Sequence, residues 1–261
     1  MSDGSAASRR PNRDSRAIII GGSVLIGLLL ITVMHFTLPE DAAALLIDRG
    51  GSSYPLSVQN MMWLTFFFGL GELFVRHQAG TVETMQLRYA YLPEREGTVL
   101  QLEDVGKIYS HVKASPFAQQ CFLPRMILRA ILQFQSTRTI EQASSVLTNS
   151  LELYLHEIDL RYNMIRYVMW LIPTLGFIGT VIGIALALSY AGQPGGFENP
   201  NLLPEVTQRL AVAFNTTLVA LVMAAVLVFG SNIIQSKEER ALNLAGQYCF
   251  DNLINRLYVV S

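Results

Sequence analysis

One apolar stretch of the chain also contains small and polar residues that a helix surrounded only by lipid would not need. It reads Pro173-Thr-Leu-Gly-Phe-Ile-Gly-Thr-Val-Ile-Gly-Ile184. It lies inside an apolar run from about residue 167 to 190, and a run of roughly 20 residues can cross a bilayer. The stretch contains a proline, three glycines and two threonines, where leucine, isoleucine or valine would satisfy lipid. Small residues at this spacing let neighbouring helices approach closely, and a hydroxyl group in lipid needs a hydrogen-bond partner or water. We therefore predict a packed, partly polar helix that faces protein or a pore.

The composition is typical of a membrane protein. Of the 261 residues, 51% are hydrophobic and 15% are charged, whereas soluble domains carry about 25% charged residues. The formal net charge of -1 argues against a nucleic-acid partner. The two cysteines and four histidines have no metal-ligand or redox-motif spacing. Catalytic and phosphate-binding motifs are missing as well, so we expect neither an enzyme nor a metal or cofactor site.

Four apolar runs predict four transmembrane helices. They follow a basic leader, 1–16, which we expect to be disordered. A signal-peptide core has about 7–15 residues, and the first run is longer, so we interpret it as a helix that is retained. Region 17–75 holds the first two helices, 17–38 and 54–75, joined by a short outer loop. Region 167–235 holds the third and fourth helices, 167–190 and 205–235, which form the predicted channel core.

The segment 76–166 contains no spanning run. Within it, Thr139-Ile140-Glu141-Gln142 fits a capping box, and the apolar residues that follow recur at three and four residues, as in an amphipathic helix. Because no glycine or proline intervenes before Pro173, we expect one long helix that enters the third span. The tail, 236–261, continues the fourth helix in the same pattern. The predicted fold is an all-α membrane protein with four transmembrane helices, whose third and fourth helices extend into a helical cytoplasmic domain.

The basic residues predict the orientation. The leader holds four of the 19 Lys and Arg residues, segment 76–166 holds ten and the tail holds three. Cytoplasmic segments carry the excess of Lys and Arg. Both termini and the 76–166 domain are therefore expected in the cytoplasm, and short loops outside.

One carboxylate, Glu72, lies near the end of the second span, one helical turn before Arg76. It can be an intramembrane carboxylate with a function. It can also form an i,i+4 ion pair with Arg76 at the interface, in which both side chains reach water. We favour the interfacial pair.

Small and polar residues align in the third and fourth spans. The third span places Thr180 between Gly179 and Gly183. The fourth span has one helix face of small residues with polar neighbours, namely Ala213, Thr217, Ala220 and Ala224, with Asn215 and Thr216 beside them. Two interpretations stay open. One is a tight helix pair whose threonine hydroxyls bond main-chain carbonyls, and the other is a hydroxyl-lined ion path.

Two motifs follow each other in this region, Gly176-Phe-Ile-Gly-Thr-Val-Ile-Gly-Ile184 and Leu210-Ala-Val-Ala-Phe-Asn-Thr-Thr-Leu-Val-Ala-Leu221. Together they resemble the paired signature of the MotA/TolQ/ExbB proton-channel family, over roughly 150–235. The pore-facing threonines of that family match Thr180 and Thr217. The residues to which we assign the ion path are Thr180, Thr217, Thr216 and Asn215, and those to which we assign helix packing are Pro173, Gly176, Gly179, Gly183, Ala213 and Ala220.

This resemblance implies a homopentamer in the bacterial inner membrane, surrounded by lipid and built around two copies of a single-span partner of the MotB/TolR/ExbD type. Each partner helix carries an essential aspartate, and ion flow drives rotation of one ring against the other. Flagellar members also have a proline where Pro173 stands. Energiser members have a glutamate where this chain has Val212, so a role for that carboxylate does not transfer.

The third and fourth spans carry no mid-span acid. A charged carboxylate is costly inside a membrane, and threonine hydroxyls can donate to it or accept from it without fixing a charge. The titrating group must then come from another chain, which argues for an obligate partner.

Asn215, Thr216 and Thr217 can supply some oxygen ligands for Na+, but we predict H+. The alternative function is a non-conducting oligomeric membrane scaffold.

Four charged residues can contact a cytoplasmic partner or form a solvated face: Arg88, Glu94, Arg95 and Glu96.

The presence of a large loop between the second and third spans resembles the arrangement in flagellar stator subunits. The fourth-span motif is closer to non-flagellar members, so the driven machine stays open.

Overall fold

The computed structural model describes residues 13–49, 54–95, 97–193 and 200–258. The structure is 83% helical. Within the described residues there is no β-sheet, and one isolated bridge pairs Leu100 with Leu257. The helices are α1 (Arg13–Thr37), α2 (Glu40–Ile47), α3 (Val58–Gln86), α4 (Leu102–Ala114), α5 (Phe122–Thr137), α6 (Ile140–Arg161), α7 (Asn163–Ala191) and α8 (Leu202–Asn252).

Among the described residues, four helical segments are long and apolar enough to cross a membrane. They are Asp14–Thr37, Val58–Gln86, Ile140–Ala191 and Leu202–Arg256. The predicted all-α fold with four spans and long C-terminal helices is thereby confirmed. The cytoplasmic position of the remaining helices stays a prediction.

The two long helices differ in continuity. α8 runs through 51 residues without a break, as the uninterrupted periodicity from the fourth span into the tail predicted. α6 and α7 are separated by Tyr162 alone, which keeps right-handed helical angles and donates its N–H to the carbonyl of Asp159 at 3.1 Å. The expected long helix is therefore present with a one-residue interruption.

Residues 13–16, predicted to belong to the disordered leader, are instead the first turn of α1. Asp14 lies in this turn, where a negative charge interacts favourably with the helix dipole. Arg16 forms an ion pair with Glu72 of α3, which holds the turn in place. The rest of the leader, 1–12, lies outside the described residues.

The predicted outer loop, 39–53, contains the helix α2. Its Ala43 and Ile47 are fully buried, so this short helix has an apolar face that the loop assignment overlooked. Two bonds attach its end to the chain around α3. Trp63 donates its indole N–H to the carbonyl of Leu46 at 2.9 Å, and Ser57 donates its hydroxyl to the carbonyl of Ile47 at 3.2 Å.

The capping box predicted at Thr139 is absent. α6 begins at Ile140 with Thr139 as its N-cap, but the Thr139 side chain caps no helical N–H. Its hydroxyl donates instead to the carbonyl of Thr137 at 2.9 Å. The helix start was therefore predicted correctly, and the mechanism of capping was wrong.

The described chain divides into two compact units. The first, here called the span unit, consists of 15–74 and 164–232. Large apolar side chains cover its surface, among them Leu25, Phe177 and Phe229. Such a surface is unfavourable in water and typical of contact with lipid.

The second, here called the extension unit, comprises the described residues of 1–14, 75–163 and 233–261. Its core holds a buried carboxylate. Glu238 is 0% exposed, and it accepts from the guanidinium of Arg161 at 3.0 Å and from the hydroxyl of Tyr162 at 3.3 Å. Burial, with the nearby Glu238 charge, raises the pKa of Tyr162 well above its usual range, so this hydroxyl stays a donor.

Candidate functional site

The helices α7 and α8 approach each other closely in the span unit. A Cβ atom added at Gly176, Gly179 or Gly183 would lie less than 3.0 Å from a side-chain carbon of α8. The atoms in the way belong to Ala220, Thr216 and Ala213, respectively. As residue numbers rise along α7, those of their neighbours fall along α8, so the two helices are antiparallel here. Glycine facing alanine or threonine over successive turns is what permits this approach.

The side chains of Thr180 and Thr217 meet within this contact. Their hydroxyl groups hydrogen-bond to each other across the two helices. The Thr180 oxygen also lies 3.1 Å from the carbonyl oxygen of Gly176 and 3.0 Å from that of Ala213. The Thr217 oxygen lies 3.0 Å from the same Gly176 carbonyl. Both residues are half-buried, so the pair stays reachable from the surface of the unit.

Proton counting defines what this pair can do. Each threonine hydroxyl has one proton to donate and two lone pairs that accept. One of the two protons lies in the bond between the hydroxyls, and the other is donated to the carbonyl of Gly176 or Ala213, so both protons are used within the chain. The two oxygens then retain lone pairs that can accept from an external donor. The pair therefore acts mainly as a hydrogen-bond acceptor. It can donate to an external group only when one of its hydroxyls breaks a hydrogen bond within the chain.

The other two residues assigned to the ion path lie differently. Thr216 is 2% exposed and donates its hydroxyl to the carbonyl of Val212 at 2.8 Å. Its methyl group packs against Gly179. Asn215 is half-buried, and its side chain has no hydrogen-bond partner among the described residues. The structure therefore brings Thr180 and Thr217 together and places Thr216 in the helix contact.

Pro173 lies inside α7, which continues through it. Proline has no backbone N–H, so the helix lacks the bond that residue 173 would otherwise donate to residue 169. One residue later, Thr174 donates its hydroxyl to the carbonyl of Trp170 at 2.9 Å. Thr174 is thus the second threonine of α7 beside Thr180, and its bond stays within its own helix.

Glu72 differs from the expected interfacial residue that reaches water. It is 1% exposed and pairs with Arg16, whose side chain is 42% exposed. Its second carboxylate oxygen is buried and has no hydrogen-bond partner among the described residues. The prediction that Glu72 reaches water was wrong, because the first turn of α1 covers it. The sequence signal was Arg16 itself, a cation directly before the first apolar run.

The charged segment 88–96 is attached to the tail in the extension unit. Arg256 donates to the carbonyls of Pro93 and Arg95 at 2.8 and 2.6 Å. Tyr248 lies 3.2 Å from a carboxylate oxygen of Glu94. Burial raises the pKa of Tyr248 to about 12, so its hydroxyl remains a neutral donor.

The four residues assigned to partner contact in this segment have different positions. Arg88, Glu94 and Arg95 are exposed, while Glu96 lies outside the described residues. The adjacent Gly97 has a φ of 80°, a left-handed conformation that favours glycine. The exposed groups next to the Arg256 bonds are therefore Glu94 and Arg95, and contact with a partner stays a prediction.

A sequence model of the MotA/TolQ/ExbB proton channel family matches residues 120–245. This chain carries a MotA/TolQ/ExbB domain. No curated protein and no solved structure matches it. The MotA/TolQ/ExbB domain begins just before α5 and ends within α8, so it includes the whole α7–α8 contact and both threonines. The helices α1 to α4 lie outside the match. With this domain and four helices among the described residues that are able to span a bilayer, the chain is an integral membrane protein.

Proposed function

We propose that this chain is the pore-forming subunit of a proton-driven rotary motor in the bacterial inner membrane. It would work as a homopentamer with a single-span partner of the MotB/TolR/ExbD type that carries an aspartate. The observation that supports this proposal is the Thr180–Thr217 pair, two hydroxyl groups held together on the helices of a proton-channel family domain.

The pair fits a carboxyl group that enters in its neutral form. A protonated carboxyl can donate to a hydroxyl oxygen whose own proton is bonded to a main-chain carbonyl. An ionised carboxylate needs donors, and here one proton is engaged between the two hydroxyls and the other with a main-chain carbonyl. Since a charged carboxylate inside a membrane is costly without such donors, the pair favours transit of the protonated acid.

Both termini and the extension unit would lie in the cytoplasm, as the distribution of Lys and Arg suggests. Mechanical output would pass through the partner helix or through the exposed charges Arg88, Glu94 and Arg95. Within the span unit, α7 carries no Asp or Glu, and α8 carries none between Glu205 and residue 232. The titrating group is therefore assigned to the partner.

One observation favours a second function, a non-conducting scaffold. The glycine contacts and the bonds of Thr180 and Thr217 to main-chain carbonyls join α7 to α8 without any external group. In a scaffold these threonines would serve packing alone. The two functions differ in what happens when the hydroxyls are removed from a correctly folded complex.

The test is proton flux into liposomes that contain the full chain co-purified with its single-span partner. The variant Thr180→Val/Thr217→Val removes both hydroxyls at nearly constant volume. Its matched control is Thr174→Val/Thr207→Val, which removes one hydroxyl from each of the same helices, where each is bonded within its own helix. We expect flux to be lost in the first variant and kept in the control.

The mass of each complex is measured alongside. A five-to-two complex with unchanged flux in Thr180→Val/Thr217→Val would refute the proton path through these hydroxyls, whereas a complex of the unaltered chain that carries no proton flux would support the scaffold. Failure of the chain to bind any single-span protein would refute the motor itself.

A further inference from the structure

A cavity of about 470 Å³ opens on the extension unit between α3 and α8. Its α3 wall consists of positions 77, 80, 81 and 84, and its α8 wall of positions 234, 237, 240, 241 and 244. Spacings of three, four and seven residues place each set on one helix face. The helices come close at Gly80, where an added Cβ would lie 3.8 Å from the Cβ of Glu238. Glu238 itself turns inward and is buried with Arg161.

The polar lining of this cavity is basic. His77, Lys237 and Arg240 line it and are exposed. Among the described residues, none of the three forms an ion pair, and no carboxylate lines the cavity. Thr81 and Thr84 also line it, but their hydroxyls donate to the carbonyls of His77 and Gly80. Lys237 and Arg240 thus face the cavity as cations without an ion-pair partner, and the His77 ring can add a further donor, which suits a phosphate group.

The rest of the lining is apolar, from Ile234, Ala241 and Leu244. An inorganic phosphate ion would leave these surfaces uncovered. A molecule that combines a phosphate group with a hydrocarbon part would cover both kinds of lining.

The cavity also lies at the right place along the chain for a lipid. His77 follows the predicted second span, which ends at 75, and Lys237 follows the predicted fourth span, which ends at 235. Lys and Arg side chains directly beyond a span extend towards the lipid headgroups. A basic pocket between membrane helices, with no carboxylate in its lining, is typical of anionic-lipid recognition.

From these observations we infer that this cavity, with its lining residues His77, Lys237 and Arg240, binds the phosphate headgroup of an anionic phospholipid. Lys237 and Arg240 contact the phosphate from α8, and His77 does so from α3. Ile234, on the span side of the two cations, packs against the glycerol and the first part of an acyl chain. A lipid held there would join the two helices where they leave the predicted spans.

The experiment uses the full chain purified in a mild detergent, with bound lipid counted by native mass spectrometry. The probes are dioleoyl phosphatidylglycerol, dioleoyl phosphatidylcholine and glycerol 3-phosphate. The test variant is Lys237→Gln/Arg240→Gln. Its charge-matched control is Lys107→Gln/Lys113→Gln, two exposed lysines on α4. A second control, Lys237→Arg/Arg240→Lys, exchanges the two cations and keeps the charge.

We expect phosphatidylglycerol to bind the unaltered chain and both controls equally. The Lys237→Gln/Arg240→Gln variant should lose roughly thirtyfold in affinity, because each Lys or Arg near an anionic headgroup contributes about fivefold. Phosphatidylcholine and glycerol 3-phosphate should bind much more weakly, since one lacks net negative charge and the other lacks hydrocarbon.

Three results would overturn the inference. The first is equal phosphatidylglycerol binding by the test variant and the Lys107→Gln/Lys113→Gln control. The second is equal binding of phosphatidylcholine, which would show that charge is irrelevant. The third is displacement of phosphatidylglycerol by glycerol 3-phosphate at equal concentration, which would identify the ligand as a soluble phosphate compound. None of these outcomes depends on ion conduction.

Discussion

The hydroxyl oxygen of Thr180 on α7 lies 3.0 Å from the main-chain carbonyl oxygen of Ala213 on α8. A side chain as short as threonine reaches the neighbouring backbone only where two helices nearly touch. That approach depends on Gly183, since an added Cβ there would lie 2.5 Å from the Cβ of Ala213. The hydroxyl site and the glycine contact are thus one structural unit.

The change Gly183→Ala should destabilise the span unit. Its single added carbon meets Ala213, and overpacking of this kind costs about 1–3 kcal/mol. Gly22→Ala is the matched control, because a Cβ at Gly22 has no atom within 4 Å. We expect the control to keep or slightly raise stability, since alanine is a better helix former than glycine. Thermal unfolding in detergent measures both, and equal midpoints for the two variants would contradict the close contact.

The Thr180–Thr217 interaction should appear as a coupling free energy. In a double-mutant cycle of Thr180→Val and Thr217→Val, the two changes should not add, and the coupling should be about 0.6 kcal/mol, the average for hydrogen bonds between membrane helices. Reversible unfolding in mixed micelles measures the cycle. Thr174→Val combined with Thr217→Val supplies the control, because Thr174 bonds within its own helix. A coupling equal to that of the control pair would remove the evidence for the interhelical bond.

Much of this arrangement follows from the sequence because the constraints are strong and local. Runs of some 20 apolar residues have few structural alternatives to membrane helices. The α7–α8 contact was predicted from small residues on one helix face, and its register follows once Gly176 meets Ala220 and Gly183 meets Ala213. Thr216 was assigned to the ion path because sequence spacing alone does not show the rotation of a helix about its axis.

Other features depend on contacts between distant segments, which periodicity within one helix does not reveal. Arg16 and Glu72 are 56 positions apart, and Tyr248 and Glu94 are 154 positions apart. Glu72 was therefore assigned to its nearest cation in sequence. The helix α2 was missed for another reason, since its eight residues are too few for a helical period to be distinguished from a loop.

The two halves of the Arg16–Glu72 pair should respond unequally to mutation. Arg16→Gln leaves a carboxylate whose side chain is 2% exposed without its cation, and breaking a buried pair in this way costs about 3–5 kcal/mol. Glu72→Gln leaves Arg16, which is 42% exposed and can be solvated, so its cost should be smaller. The double variant should recover much of the stability lost in Arg16→Gln. Unfolding midpoints in detergent measure all three, and a double variant no more stable than Arg16→Gln would show that the pair is unimportant.

The tail should control the mobility of the charged segment before α4. Arg256→Ala removes bonds to the carbonyls of Pro93 and Arg95, and hydrogen bonds to charged groups contribute about 1.5–3 kcal/mol each. Because both carbonyls belong to one loop, the change should release that loop without unfolding the core of the unit.

Hydrogen–deuterium exchange of the full chain measures this release. Amides of residues 92–100, such as that of Leu100, which bonds the Arg256 carbonyl at 2.8 Å, should exchange at least about tenfold faster in Arg256→Ala, since 1.4 kcal/mol corresponds to a factor of ten. Amides in α5 should be unaffected. Lys107→Ala on the exposed surface of α4 is the control, and it should change neither region. Equal exchange of 92–100 in the two variants would mean that Arg256 does not hold the loop, whereas faster exchange throughout α5 would mean that its bonds stabilise the whole extension unit.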